Sequence, residues 1–407
     1  MTSSRLSPAD WARQNLFRSV GDSILTVIFG LALAFLAYRV FTFIFTKDWE
    51  IVRVNMRNFL VGPEVRGDDV WGVVIGLMIL AASIGLFVGV LSRRQSLAHE
   101  TSMLDPFRIA DWRPLVVRFV DRMWPLIVLV ALMLLLTGSL EGLGVVLGAL
   151  VLAVVGRGIG GRLPDRAYLW VTLWMIAAPV VAVLIIHLFF IDWSNWGGFL
   201  LVSFAGAAGI ALSFPFGVLL ALGRQSDLPV IKGLSVAYIE FVRGVPLVVF
   251  ILMGSLLIGL FLPRGVLPSE LIRAIIVLIL FTAAYVAEIV RGGLQSLPPG
   301  QEEAAKAVGL PAWRTMSFIV MPQALRNVIP AMVGQAISLW KDTSLLFIIG
   351  FSEPLRLATA FTRQPEFRGQ GLVVVTLFFA GLIYWVVSFT MSRESQRLEK
   401  KLGVGER

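Results

Sequence analysis

An all-α integral membrane protein with about ten transmembrane helices is the fold class that three observations predict. Hydrophobic residues make up 57% of the 407 and charged residues 15%, against roughly 45–50% and about 25% in soluble domains. Apolar runs recur at 23–46, 71–91, 124–137, 143–156, 168–191, 197–223, 244–262, 274–290, 328–350 and 371–391. A span needs about 20 such residues, because in roughly 30 Å of hydrocarbon each backbone polar group must be paired within its own segment. Finally, with the amino terminus in the cytoplasm, the inner connecting segments hold 24 Lys and Arg and the outer ones nine. That is the bias membrane insertion imposes. It also places the carboxyl terminus in the cytoplasm.

The composition excludes several chemistries. There is no cysteine and only two histidines, His99 and His187, which argues against thiolate nucleophiles, disulfides, Cys-based metal centres and His-rich metal sites. The net charge of +9 reads as topology in a membrane protein, with lipid and not nucleic acid as the medium it meets.

Taken in order, residues 1–22 are polar, and the run at 23–46 is longer than a signal-peptide core, so it reads as a retained helix. Arg39 lies where it can snorkel to headgroups. The second run pairs Gly72 with Gly76 and Gly85 with Gly89, a spacing that lets helices pack closely. The runs 124–137 and 143–156 are parted only by 138–142 and read as a hairpin, since merging them would turn the 291–327 loop outward. Gly156-Arg-Gly158-Ile-Gly160-Gly161 matches the dinucleotide pattern by letters, but it follows an apolar span and lacks the strand that pattern requires. It reads as a flexible membrane exit.

Four residues among Asp, Glu, Lys and Arg fall inside the spans: Arg39, Glu288, Lys341 and Asp342. Charge in hydrocarbon is costly, so such residues pair, snorkel or line a wet cavity. Lys341 and Asp342 suit either a pathway or conformational role or a helix–helix ion pair. Glu288 lies three residues before Arg291, so a local ion pair stands beside a ligand contact.

The 291–327 loop carries the densest signal. Pro298-Pro299-Gly300 stops one helix and starts another, with Glu302 and Glu303 in the favourable first turn. Ala304, Ala305 and Ala307 keep that helix slim, Gly309 suits a left-handed end, and Pro311 suits the first turn of a second helix. The product is a bent helical elbow. It can seat in another protein's groove, or lie on the membrane surface as a connector.

These residues resemble a known family. Glu303-Ala304-Ala305, then Gly309, Ile319 and Pro322, is similar to the EAA signature of the permease subunits of bacterial ABC importers, with Met321 where leucine is usual. The segments Ala283–Gly293, Glu240–Leu247 and Lys341-Asp342-Thr343-Ser344-Leu345 resemble the polar amino acid branch. The long chain resembles the larger permease of general L-amino acid importers, the AapM or BztC type. The resemblance covers about 197–392.

It implies a five-helix permease core at 197–392, a membrane extension of about five helices at 1–196 and a cytoplasmic tail at 393–407. It implies a non-catalytic subunit in the bacterial inner membrane, beside a second homologous permease, two copies of an ATP-binding subunit and a periplasmic amino acid binding protein. The coupling residues are then Glu302, Glu303, Ala304, Ala305, Gly309 and Pro322. Tyr285, Glu288, Lys341 and Asp342 offer donors and acceptors for the substrate path or its gate. The chain holds no Gly-x-x-x-x-Gly-Lys-Ser/Thr loop, so it binds no cofactor itself, and ATP and Mg sit on the partner ATPase subunits. Rival readings are an ion-coupled secondary amino acid transporter, an export permease, an ABC permease for another small polar solute, and a membrane enzyme. The last lacks any nucleophile–base or metal cluster.

Overall fold

The computed structural model describes residues 7–65, 67, 69–100, 124–128, 130–131, 140–164, 166–262 and 268–402. They fall into two compact units, Met1–Glu50 and Ile51–Arg407.

The first unit holds α1 (Pro8–Asn15) and α2 (Val20–Thr46). Each starts on a serine that accepts from a backbone N–H three residues on, Ser7 from Asp10 and Ser19 from Asp22, which satisfies one of the four orphan donors of a helix start. No residue of α2 is buried. Arg39 lies exposed on it.

A short helix, α3 (Glu50–Val54), begins on the last residue of the first unit, and the second unit continues with α4 (Met56–Val61), α5 (Asp69–Glu100), α6 (Leu140–Gly160) and α7 (Ala167–Phe189). The run expected to be short, 143–156, belongs to the 21-residue α6, about 31 Å long and sufficient to cross by itself. Half of its expected hairpin partner at 124–137 lies outside the described residues.

Helix α5 packs on both α6 and α7. At the α5–α6 contact a Cβ at Gly85 would stand 2.0 Å from the Ala153 carbonyl oxygen, and one at Gly156 would stand 2.4 Å from that of Ala82. The backbones touch there, which only glycine allows. This corrects the reading of 156–161 as a flexible exit: helix runs through Gly160, and its glycines are packing surfaces.

The bundle then continues with α8 (Gly198–Arg224), α9 (Pro229–Gly244), α10 (Leu247–Phe261), α11 (Glu270–Gln295), α12 (Gly300–Ala307), α13 (Ala312–Arg314), α14 (Met321–Asp342), α15 (Pro354–Phe361) and α16 (Val373–Leu402). Helix α11 is the axis. Its Ala274, Leu278, Ala283, Ala284, Ala287 and Val290 are inaccessible to solvent, and α8, α9, α10 and α14 all pack on it. The expected span at 244–262 is bent: α9 meets α10 at 108° across Val245-Pro246, because proline cannot continue the ladder and disfavours the helical conformation of the residue before it.

Among the described residues seven helices are long and apolar enough to cross a membrane, or up to nine if each bent pair is one span. At the end of the bundle opposite the 291–327 loop, α4 packs on α8 and α15. Asn55 and Gln364 exchange side-chain amide hydrogen bonds of 3.0 and 2.9 Å, and Phe59 meets Phe361 and Phe379 edge-on.

Candidate functional site: the elbow and its charged root

The 291–327 loop folds as the elbow its punctuation predicts. Helix α12 carries Glu302 and Glu303 in its first turn, near the positive end of the peptide dipoles. Glu302 pairs with Lys306 one turn on at 2.8 Å, and that contact raises the Lys306 ammonium above the ordinary lysine value.

The helix ends at Gly309, whose φ of +76° lies in the left-handed region. Leu310 N–H donates to the Ala305 carbonyl at 3.1 Å and Gly309 N–H to that of Lys306 at 3.0 Å. These two bonds make the Schellman closure, which consumes carbonyls the helix end would otherwise leave bare. Pro311 is extended and precedes the short α13 instead of lying within its first turn.

The alanines divide: Ala305 is buried against the body of the elbow, while Ala304 and Ala307 face outward. Pro322 is exposed in the first turn of α14. Gln323 holds the elbow to α14 through Gln301 at 3.3 Å, and Asn327 donates to Ser296 Oγ at 3.2 Å.

Three residues that sequence reasoning did not single out complete this surface. Val308, Trp313 and Phe318 are 75%, 60% and 71% exposed, with Trp313 and Phe318 rings 6.3 Å apart and the Arg314 guanidinium over Trp313. Their bulk at the bend was visible in the sequence. That they point outward was not.

Behind the elbow lies a charged root. The Glu288 carboxylate meets Arg291 at 2.9 Å on its own helix, Arg224 of α8 at 2.7 Å and Arg243 of α9 at 3.3 Å. Arg224 also meets Glu240 at 2.9 Å, and Arg243 lies over the Tyr285 ring. The pairing of Glu288 with Arg291 was anticipated. The arginines from α8 and α9 make it a junction of three helices. Glu288 and Tyr285 therefore belong to one constellation.

Lys341 and Asp342 do not join it. Lys341 lies fourteen residues beyond Asn327, about 21 Å along α14. Lys341 is exposed and Asp342 half-buried, and the two neighbours interact electrostatically with each other. At the far end of the bundle a cavity of about 480 Å³ is lined by Glu64, Asn195, Trp196, Glu270, Ser352 and Arg356 among others. Among the described residues no group of three or more His, Asp or Glu could hold a metal ion.

Residues 213–404 match the family described as "Binding-protein-dependent transport system inner membrane component". Over 251 residues the chain is 42% identical to the inner membrane amino-acid ABC transporter permease protein YhdY of Escherichia coli K12, covering 60% of this chain and 67% of that protein. It is 45% identical to the glutamate/glutamine/aspartate/asparagine transport system permease protein BztC of Rhodobacter capsulatus, over 52% of this chain and 49% of that one. A probable glutamine ABC transporter permease, GlnP of Bacillus subtilis, is 36% identical over 50% of this chain and 91% of its own length. Among solved structures, an amino acid ABC transporter with histidines matches with a TM-score of 0.44 and 27% identity, over 49% of this chain and 90% of that chain.

Proposed function

The chain belongs to the family of binding-protein-dependent transport system inner membrane components, and from that premise we propose that it is a permease subunit of an ATP-driven importer of L-amino acids in the bacterial inner membrane. It crosses the membrane several times. The work is supplied by two copies of a separate ATP-binding subunit, a periplasmic binding protein delivers the solute, and a second homologous permease completes the path. Amino and carboxyl termini face the cytoplasm, as the distribution of basic residues supports. Family membership sets aside the ion-coupled carrier.

The observation that carries the coupling assignment is the elbow. Its bend is closed by Gly309 and it presents Ala304, Ala307, Val308 and Trp313 outward. Apolar side chains of this size, held outward on a small rigid projection, favour a groove in a partner over water. A push on the elbow passes through Gln301–Gln323 and Ser296–Asn327 into α14 and α11, and from α11 through Glu288 into α8 and α9. On this reading Glu302, Glu303, Ala304, Ala305, Gly309 and Pro322 are the coupling residues, and Glu288 with Tyr285 tie the root.

The test is purification of the tagged chain with its partners, reconstitution in liposomes, and uptake of labelled L-amino acids with ATP supplied on the elbow side. Uptake that requires ATP hydrolysis and a copurified ATPase is the expected result. Uptake indifferent to hydrolysis, or an elbow labelled only from the periplasm, refutes the assignment.

A further inference from the structure

The turn that joins α6 to α7 gathers arginines from two helices. Arg157 lies in the last turn of α6, and Arg162 and Arg166 lie in the connecting turn, both exposed. Arg93 of α5 donates from Nη1 to the Leu163 carbonyl, 70 residues away in sequence, at 2.6 Å, and so joins them. The packing beneath holds this meeting in place. A Cβ at Gly89 would run into the Arg157 carbonyl oxygen, and one at Gly160 into that of Leu86, so the ends of α5 and α6 are pressed together. Arg162 donates to the Gly158 carbonyl at 3.3 Å. Arg157, Arg162 and Arg166 make no ion pair within the described residues. Asp165 is the single acid in the sequence from 157 to 166. The guanidiniums outnumber it, and they repel one another until an anion from outside the chain meets them.

A second feature, independent of charge, lies alongside. Helices α6 and α7 both pack on α5, but not to a comparable extent on one another. Helix α5 meets α6 through Gly85 and Gly89, and meets α7 through Gly76 and Ser83, whose hydroxyl accepts from Trp174 Nε1 at 2.9 Å. At 3.6 residues per turn these two faces lie roughly a third of a turn apart. Between them run Ile75, Ile79, Leu86 and Arg93, the floor of a groove walled by α6 and α7. Ile75 is exposed, and Ile79 and Leu86 are half-buried. On the α7 wall Arg166, Trp170 and Trp174 recur every four residues, so they line one side, and Trp170 is 72% exposed. An apolar groove with indoles at its mouth and guanidiniums above it matches a lipid from tail to headgroup.

We propose that the α6–α7 turn binds the phosphate diester of an anionic phospholipid, whose acyl chains run along the groove between α6 and α7. Guanidinium forks pair with phosphate oxygens two at a time. The apolar groove directly below favours a lipid over free phosphate. The site lies away from the elbow and its charged root, and it goes beyond the importer reading.

The test uses the full complex, purified in detergent and given either phosphatidylglycerol or phosphatidylcholine in equal amounts. Native mass spectrometry reads the lipid retained, and thermal melting reads the stabilisation. Phosphatidylglycerol should stay bound and raise Tm, and phosphatidylcholine should do neither. Arg162→Gln combined with Arg166→Gln removes two exposed guanidiniums and should weaken phosphatidylglycerol binding roughly tenfold or more. Arg363→Gln combined with Arg368→Gln removes the same charge from exposed positions elsewhere and should leave binding unchanged. Should the first double variant fail to fold, Arg162→Lys with Arg166→Lys keeps the charge and loses the fork, and it too should bind more weakly than the parent. Equal retention of the two lipids by the parent overturns the proposal, as does equal binding of phosphatidylglycerol by the two glutamine double variants. A Tm rise from inorganic phosphate as large as that from phosphatidylglycerol would assign the arginines to a free anion and overturn the lipid assignment.

Discussion

Gly309 is the position where one atom should decide whether the elbow holds its shape. Its φ of +76° places it where an L-residue brings Cβ against the following carbonyl, at about 1–2 kcal/mol. An added Cβ meets nothing within 4 Å, so Gly309→Ala isolates that backbone cost from any clash. Helix α12 has only eight residues and is far too short to persist alone. A cost of this size lowers the population of the closed bend by roughly 5- to 30-fold relative to opened forms. ATP-dependent uptake should fall with it, while insertion in the membrane is unchanged. Gly309→Asn should lose least, because asparagine tolerates the left-handed region, and Gly309→Val most, because a β-branched residue there is an outlier. The assay is uptake and ATP hydrolysis by the reconstituted complex across the three variants. Val working as well as glycine, or Asn working worse than Val, would refute the reasoning.

Three further outcomes follow from the packing. Glu288→Gln leaves Arg224, Arg243 and Arg291 facing one another without their shared anion. At the partial exposure of these arginines it should cost about 2 kcal/mol, read as a lower Tm of the purified complex, and an unchanged Tm would show that the junction bears no load. Gly85→Val drives a side chain into the Ala153 carbonyl and should destabilise the α5–α6 pair by about 3 kcal/mol, while Gly30→Ala on α2, where a Cβ meets nothing, should be silent in the same melt. Glu353 is wholly buried, capping α15 through the N–H groups of Leu355 and Arg356 and accepting from the Tyr384 hydroxyl. Burial pushes its carboxyl up to about 7 from an ordinary 4.5. The folded state therefore binds the proton more tightly than the unfolded state. Its contribution is present below pH 4.5 and is lost as pH rises toward 7, a difference of about 3 kcal/mol. Glu353→Gln should flatten the dependence of Tm on pH over that window, and an identical slope in the variant would assign it to another group.

The elbow was legible in the amino acid order because each of its devices is local. A Pro-Pro-Gly restart, two acids in a first turn and a glycine at a helix end act over three to five residues, the reach of one helical turn. The spans were legible for a related reason: hydrocarbon tests each segment of about 20 residues by itself. Pro311 stood one position from where it was expected, as the extended residue just before the second short helix and not within its first turn.

The sequence by itself determined that this chain lives in a membrane, roughly where it crosses, and that a bent helix projects from one of its loops. Only the tertiary structure decided that Glu288 has three arginine partners, one of them 64 residues away, that Gly85 and Gly156 are the faces of a backbone contact, and that Lys341 and Asp342 stay outside the Glu288 junction. The reason is that hydropathy and helix caps depend on near neighbours. Which face of a helix is buried, and against what, depends on helices that meet only after the chain has packed.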